Sequence, residues 1–535
     1  MGRLEPRRGA RRLRCGGRWA IQGRQPGPGP RGADPRAESV TCRRRADSDP
    51  RGRPHPSMTG RPPCMRGGCR GRPRPRPLVV RLRPRAARRV PARTTRNIPA
   101  GSGLSPVPGR RGAMARTAGR DGRTRIMANP LYDMLLARGE GSDAPFLIQS
   151  GPQPGGDPIS HGAFHDLTGA MANALTELGL VPGDRMVTAL PTSALYLGLV
   201  YGAVRAGVVV VPLDPAGDAA MAARVIADCT PALVVTEAGG GDDDSAPEAG
   251  AGAREAAAAA GVRCERLGPG GRLGAAATAT GAAAAQEPMD REPDDPVALF
   301  YAPDGPLRGV IATQMNLLST ALTLSDLWRL WDSDVVLHAL PGWARDGAFA
   351  APGTMLEVGG AMILVPADDP EATMQALPQA TVMMGRADPY ARLIGTPGFA
   401  VQEGDGPRVF IACWDRVAEP DLAAFHDRTG QRILQAYGIA EAGIVASPPG
   451  EGERRAGSVG FPLPDVELRI TDPADGKPLP DGETGVVELR GPNVFPGYWA
   501  QPEATAEVLR ADGFLVTGDL GRIDEDGYVQ IVGRV

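Results

Sequence analysis

The sequence predicts an α/β fold that closes with a small antiparallel, barrel-like β subdomain and is preceded by a disordered basic segment. Three observations carry this reading. From residue 127 to about 430, apolar runs of strand length alternate with helix-period stretches, the pattern of βαβ units and a mainly parallel sheet. From Gly457 the texture changes to short apolar runs broken by Gly, Pro and Asp, which reads as strands joined by turns. Finally, residues 1–126 hold 34 Arg against 6 acidic residues, whereas residues 127–535 hold 25 Arg, 1 Lys and 55 acidic residues. The formal net charge of -1 thus conceals two chemically different stretches joined near Met127.

Taken in order, residues 1–126 are dense in Arg, Pro and Gly and have no sustained apolar period. Such a stretch buries too little surface to offset its ordering entropy, so disorder is expected. Its guanidiniums would suit a polyanion, so nucleic-acid binding is expected only through this tail. It lacks the interleaved aromatics of single-strand binders, and its Pro and Gly content opposes the amphipathic helix of a transit peptide. An incidental segment ahead of a natural start at Met127 is the favoured reading. Beyond it, 130–138 reads as a first helix and 160–179 as a second. A strand at 186–190, a helix at 193–207 and a strand at 208–213 form a βαβ unit. Residues 238–261 read as a flexible insertion followed by a helix. Further strands are expected at 233–236, 335–340, 361–365, 381–384 and 409–411, then at 467–471, 485–490, 513–516 and 528–532.

No run of about 18 apolar residues is present, so no membrane span is expected. The seven Cys form no paired zinc spacing, and a cytoplasmic protein with free thiols is the default. His161 and His165 share an i, i+4 face and read as surface residues rather than metal ligands.

Three ordered blocks carry most of the functional signal: Gln435-Ala436-Tyr437-Gly438-Ile439-Ala440-Glu441, Gly491-Pro492-Asn493-Val494-Phe495-Pro496-Gly497-Tyr498-Trp499, and Thr517-Gly518-Asp519 through Gly533-Arg534. Together they resemble the adenylate-forming superfamily of acyl-CoA synthetases, over about residues 127–535. Within it the likeness is strongest to malonyl-CoA synthetases, through Met127-Ala128-Asn129-Pro130-Leu131-Tyr132-Asp133, Leu337-His338-Ala339-Leu340-Pro341 and the Gly491–Trp499 block. The resemblance implies a large N-terminal domain of two α/β sheet subdomains and a small β subdomain at 127–533, with a hinge starting at 534–535. A C-terminal domain carrying the adenylation lysine would follow, and it is expected to be absent. The single lysine, Lys477, lies in an Asp-Gly-Lys-Pro turn and is not expected to replace it.

The same resemblance implies ATP, Mg²⁺ and CoA, with a small carboxylic acid such as malonate as substrate. Asp519 and Arg534 would hold ribose, Tyr437 and Gly438 would lie at adenine, and Glu441 would hold the metal. Gly305, Arg308 and Gly309 would line the phosphates, and Arg392 would grip the acid's second carboxylate, a task suited to the guanidinium fork. Departures stand beside these matches. The stretch Tyr301-Ala302-Pro303-Asp304-Gly305-Pro306-Leu307-Arg308-Gly309 replaces a hydroxyl-rich phosphate loop; its prolines remove donors and Asp304 repels phosphate. Ala440 stands where the family has threonine, Gly342-Trp343-Ala344-Arg345-Asp346-Gly347 replaces a histidine segment, and Trp414 enters a small-residue loop, where it would fill the acyl or adenine pocket. These readings leave two functions: a carboxylate–CoA ligase of impaired activity, or a non-catalytic nucleotide- or acyl-binding descendant.

Overall fold

The computed structural model describes residues 117–118, 124–125, 128–149, 157–238, 249–274, 287–303, 305–401 and 406–535. Most of the basic segment, Met127, the Gly239–Asp244 stretch and Asp304 lie outside them. Within the basic segment, Thr117–Ala118 and Thr124–Arg125 pair as a two-residue antiparallel ladder.

The main body begins with β1 (Pro145–Gln149) and β2 (Ile159–Ser160), which form one edge of a sheet completed much later in the chain. Helix α1 (His161–Glu177) starts where the Ser160 hydroxyl accepts the Ala163 N–H at 3.1 Å, an N-cap that satisfies one orphan donor. The expected βαβ unit follows as β3 (Arg185–Ala189), α2 (Ala194–Ala206) and β4 (Val209–Pro212), with β3 and β4 parallel. Ser193 caps the start of α2, and Gly207 at φ 72° ends it in the left-handed region, the conformation glycine adopts without steric cost. After α3 (Ala219–Cys229) come β5 (Leu233–Glu237), α4 (Ala251–Ala260), β6 (Cys264–Gly268), β7 (Arg272–Leu273), β8 (Pro296–Phe300) and β9 (Val310–Thr313). Among the described residues the first sheet runs β9-β8-β4-β3-β5-β6-β7. Its central strands are apolar on both faces because helices cover both.

A second sheet repeats the design. Helix α5 (Gln314–Leu327) leads into β10 (Val335–Ala339), α6 (Ala351–Val358), β11 (Ala361–Leu364), α7 (Pro370–Ala376), β12 (Val382–Gly385), α8 (Ala387–Gly395), β13 (Val409–Cys413), α9 (Glu419–Thr429), β14 (Leu434–Ile439), β15 (Gly443–Ser447) and β16 (Phe461–Pro462). The strand order is β16-β15-β14-β13-β12-β10-β11-β1-β2, parallel from β1 to β14 and antiparallel at both ends. The antiparallel subdomain is a meander of β17 (Glu467–Thr471), β18 (Gly485–Arg490), β19 (Leu515–Ile523) and β20 (Val529–Arg534), with α10 (Pro502–Val508) between β18 and β19. One large core joins the layers, with Phe146, Phe164, Tyr201, Phe349 and Phe300 in successive edge and tilted contacts. No helix among the described residues is long and apolar enough to cross a membrane.

One expectation is refined and one needs correction. The helix read at 130–138 is present, helical from Pro130 to Gly139, but with a π turn at Tyr132–Leu136 and a 3₁₀ turn at Ala137–Gly139. Tertiary partners reshape it: the Asp133 carboxylate accepts the Ala128 and Asn129 N–H groups, and Gln314 accepts that of Leu131. His161 and His165 are buried, not on the surface. Nε2 of His161 lies 2.9 Å from the Gly360 carbonyl and Nε2 of His165 lies 3.1 Å from the Tyr132 hydroxyl, so both are hydrogen-bonded packing residues of α1 against its neighbours.

Candidate active site

Three of the predicted residues meet where the second and third sheets adjoin. Tyr437 on β14 donates its hydroxyl to Asp519 Oδ2 on β19 at 2.5 Å, while Arg534 on β20 approaches Asp519 Oδ1 at 3.0 Å. The Asp519–Arg534 pairing is fixed by strand register, since the two residues face each other across the β19–β20 ladder. Asp519 also turns its own N–H toward the Thr517 hydroxyl. Burial, reinforced by the Asp519 charge, pushes the Tyr437 phenol well above its ordinary value, so the pair is a neutral donor on a carboxylate. Gly438 beside it has no room for a side chain: a Cβ would lie 2.8 Å from the Gly443 carbonyl oxygen.

A second group forms around Tyr498. Its hydroxyl donates to Glu441 Oε1 at 2.7 Å, and the Arg308 guanidinium lies over its ring, 5.0 Å from the centroid. Arg308 also meets Glu507 at 3.2 Å. The Gly491–Trp499 block brings these residues together. The Phe495 N–H donates to the Glu441 carbonyl, Asn493 donates to the carbonyls of Ala442 and Ile444, and the Trp499 N–H donates to the Gly309 carbonyl at 2.7 Å. Gly309 is therefore pressed between Tyr301 and Trp499, where a Cβ would lie 2.6 Å from the Tyr301 hydroxyl oxygen. Gly305 has open space but φ 88°, so conformation rather than packing favours glycine there.

Beside this group lies a charged cluster of buried Arg345 and Asp346 with Arg386. Arg345 is 4% exposed and donates to the carbonyls of Ala440 (3.0 Å) and Asn493 (3.4 Å). Burial pulls its guanidinium down to about 10, against the opposing charge of Glu441. Asp346, 1% exposed, accepts from Arg386 Nη2 at 3.3 Å and opens a π-helical turn, Asp346–Ala350, a geometry frequent at functional sites. Arg386 lies near the rings of Trp343 and Trp414, at 5.7 and 5.8 Å from their centroids. Burial alone would lower it, but Asp346 and Asp415 outweigh burial and hold it above its ordinary value. Trp414 takes φ 71°, an uncommon backbone state for a bulky residue, and lines a narrow cavity with Arg345, Asp346, Phe349 and Gly443.

The AMP-binding enzyme family matches residues 137–499, about two thirds of the sequence. The chain belongs to this family. It is 30% identical over 391 residues to a feruloyl-CoA synthase from an Amycolatopsis species, a match spanning 71% of this chain and 74% of that protein. It is 30% identical over 263 residues to a malonate–CoA ligase from Arabidopsis thaliana, spanning 45% and 43% of the two chains. ATP-bound MatB from Rhodopseudomonas palustris superposes with a TM-score of 0.68 at 37% identity, covering 75% of this chain and 78% of that one. The two-sheet architecture with an antiparallel β subdomain is thus the N-terminal domain fold of adenylate-forming enzymes.

Within the AMP-binding fold, the structure gathers Tyr437, Gly438, Asp519 and Arg534 at one corner, and Arg308, Gly309 and Glu441 around Tyr498. It does not bring Arg392 to the cavity. That side chain is 53% exposed on α8, with Asp388 as its ionic partner at 4.0 Å. The arginine at the cluster is Arg386, at the N-cap of the same helix. The missed residues, Arg345, Asp346 and Arg386, did leave a signal: charges set among small and apolar residues that otherwise read as buried. Lys477 sits in its predicted turn, 80% exposed and bonded to Asp475.

Proposed function

We propose that this chain is an ATP-dependent carboxylate–CoA ligase for a small carboxylic acid, with residues 127–533 as its AMP-binding domain. The observation that carries the reading is Asp519, a buried carboxylate oriented by Tyr437 on one oxygen and Arg534 on the other. A carboxylate so held retains lone pairs for the two ribose hydroxyls, which are donors. Tyr437 and Gly438 would border the adenine, and Gly305, Arg308 and Gly309 the phosphates. Glu441 would hold Mg²⁺ with phosphate oxygens and water. A single carboxylate suits magnesium, which takes one or two protein ligands beside nucleotide phosphates. When bound, the ion neutralises charge on the departing pyrophosphate.

In this reading the acid's carboxylate oxygen attacks the α-phosphorus and pyrophosphate leaves. The CoA thiolate then attacks the acyl carbon, expelling AMP. The protein's part is positioning and charge stabilisation. Malonate, suggested by the sequence likeness, is the first acid to test. A second reading, nucleotide binding without turnover, is favoured by the 301–309 loop, where Pro303 and Pro306 offer no N–H and Arg308 is engaged by Glu507. Acid-dependent ATP–pyrophosphate exchange separates the two. Exchange supports the ligase; ATP binding with no exchange for any short acid supports the second reading and sinks the first.

A further inference from the structure

The cavity beside Trp414 is lined by three residues that each carry a polar atom without a partner among the described residues. Asp346 Oδ2, Arg345 Nε and Trp414 Nε1 are all buried, and none has a hydrogen-bond partner among the described residues. The three residues line the same cavity, together with Leu317, Phe349 and Gly443. Its free volume is about 10 Å³, room for roughly one water-sized group. Native interiors rarely leave such atoms unpaired, and each that persists calls for an explanation.

Their chemistry restricts what would pair them. Two are donors and one is an acceptor. A hydroxyl has an oxygen that can accept from Arg345 Nε and Trp414 Nε1 and a hydrogen that can go to Asp346 Oδ2, so one small group carries the functions all three lack. A methyl answers none. A second carboxylate, as in malonate, exceeds the volume and sets another anion against Asp346. An ammonium suits Asp346 but leaves both donors unmet and places a third cation beside Arg345 and Arg386. Asp346 is already matched in charge by Arg386 at 3.3 Å, which favours a neutral partner. The position also fits the acyl side of the site, since Arg345 hydrogen-bonds the Ala440 carbonyl next to Glu441.

We propose that this cavity receives the hydroxyl of a short hydroxy-substituted carboxylic acid, with Arg345, Asp346 and Trp414 as the residues that select it. The inference rests on the ligase reading and narrows its substrate class.

Calorimetric titration of the full chain, with Mg²⁺ and a non-hydrolysable ATP analogue, tests both. Glycolate, 3-hydroxypropionate, propionate, malonate and β-alanine are compared. One hydroxy acid is expected to bind about tenfold to a hundredfold tighter than the unsubstituted acid of equal length. Trp414→Phe keeps a ring but removes a donor, and is expected to lower that preference about threefold to tenfold; Asp346→Asn is expected to remove most of it. If the analogue binds but propionate, malonate or β-alanine binds as well as the hydroxy acids, or the preference survives both variants, the inference is wrong, while the ligase reading is decided by the exchange assay. If the nucleotide analogue itself does not bind, the ligase reading fails and this inference falls with it.

Discussion

The Tyr437–Asp519 corner and the Arg345–Asp346 cluster are both buried and both built around a carboxylate, yet they are finished differently. At the first, each Asp519 oxygen has a partner within the protein, one set by strand register and one by a phenol from the neighbouring sheet. At the second, Asp346 has a partner on one oxygen only, and three neighbouring donors, Arg345 Nε, Arg386 Nε and Trp414 Nε1, are also unmatched among the described residues. A recognition group that meets a ligand component common to a whole family can be held rigid by its own scaffold. A group that discriminates among ligands keeps part of its hydrogen-bonding capacity for them, at a cost in stability. The difference is the one expected if the first serves the proposed nucleotide binding and the second the proposed acid selectivity.

The largest expected effect lies at the finished corner. On the proposed ribose role, Asp519→Ala should weaken ATP binding by at least about a hundredfold, because the charge-assisted bonds to both hydroxyls would be lost. Tyr437→Phe, which leaves the carboxylate but not its orientation, should weaken it by about tenfold. Calorimetry reads both directly. Equal losses in the two variants would mean that Tyr437 contacts the nucleotide itself, and unchanged affinity in Asp519→Ala would dissolve the contrast between the corners.

A smaller effect is expected in the group around Tyr498. Gly309→Ala places a Cβ 2.6 Å from the Tyr301 hydroxyl oxygen and 3.1 Å from Trp499 Cβ. Overpacking of this kind costs about 1–3 kcal/mol, visible as a lower thermal midpoint. Because Arg308 is the adjoining residue, the same change should weaken binding of ATP more than of AMP. Equal weakening of both nucleotides would remove Arg308 from the phosphates.

How much of this was legible in the sequence depended on the range of the determining contacts. Strands β17 and β18 fall on the residues that alternation and turn chemistry marked, and the βαβ unit at 185–212 was evident from apolar runs flanking one helical stretch. The 130–138 stretch is helical as its periodicity indicates, but the π and 3₁₀ geometry of its turns goes with distant partners such as Gln314, 183 residues away, which takes the Leu131 N–H. The same limit applied to the site. Register across β19 and β20 is nearly local, so the Asp519–Arg534 pair lay within one motif. The Arg386–Asp346 pair spans forty residues and two strands of a parallel sheet, and no local period encodes it. Arg392 has the right residue type on the right helix, but it points to solvent while Arg386 at the helix start faces the cluster.

His338 offers the finest test, because it borders the unfinished cluster without contributing a charge to it. It is fully buried on β10, with Nε2 at 2.9 Å from the Gly347 carbonyl. That oxygen only accepts, so Nε2 carries the hydrogen and Nδ1, which has no partner among the described residues, does not. Burial holds the imidazole below its ordinary value of 6.5, although the Gly347 carbonyl and Asp346 pull the other way. The folded state therefore binds fewer protons than the unfolded state at mildly acid pH. Stability from this group is fully present above about 6.5 and is lost as pH falls toward the lowered value, with a limiting slope of about 1.4 kcal/mol per pH unit. His161, also lowered by burial, adds to the same window. The thermal midpoint should fall between pH 7 and 5, and His338→Asn, whatever its midpoint at pH 7, should fall less steeply. An unchanged slope would mean that the folded protein protonates His338 at no cost, against the effect of its burial.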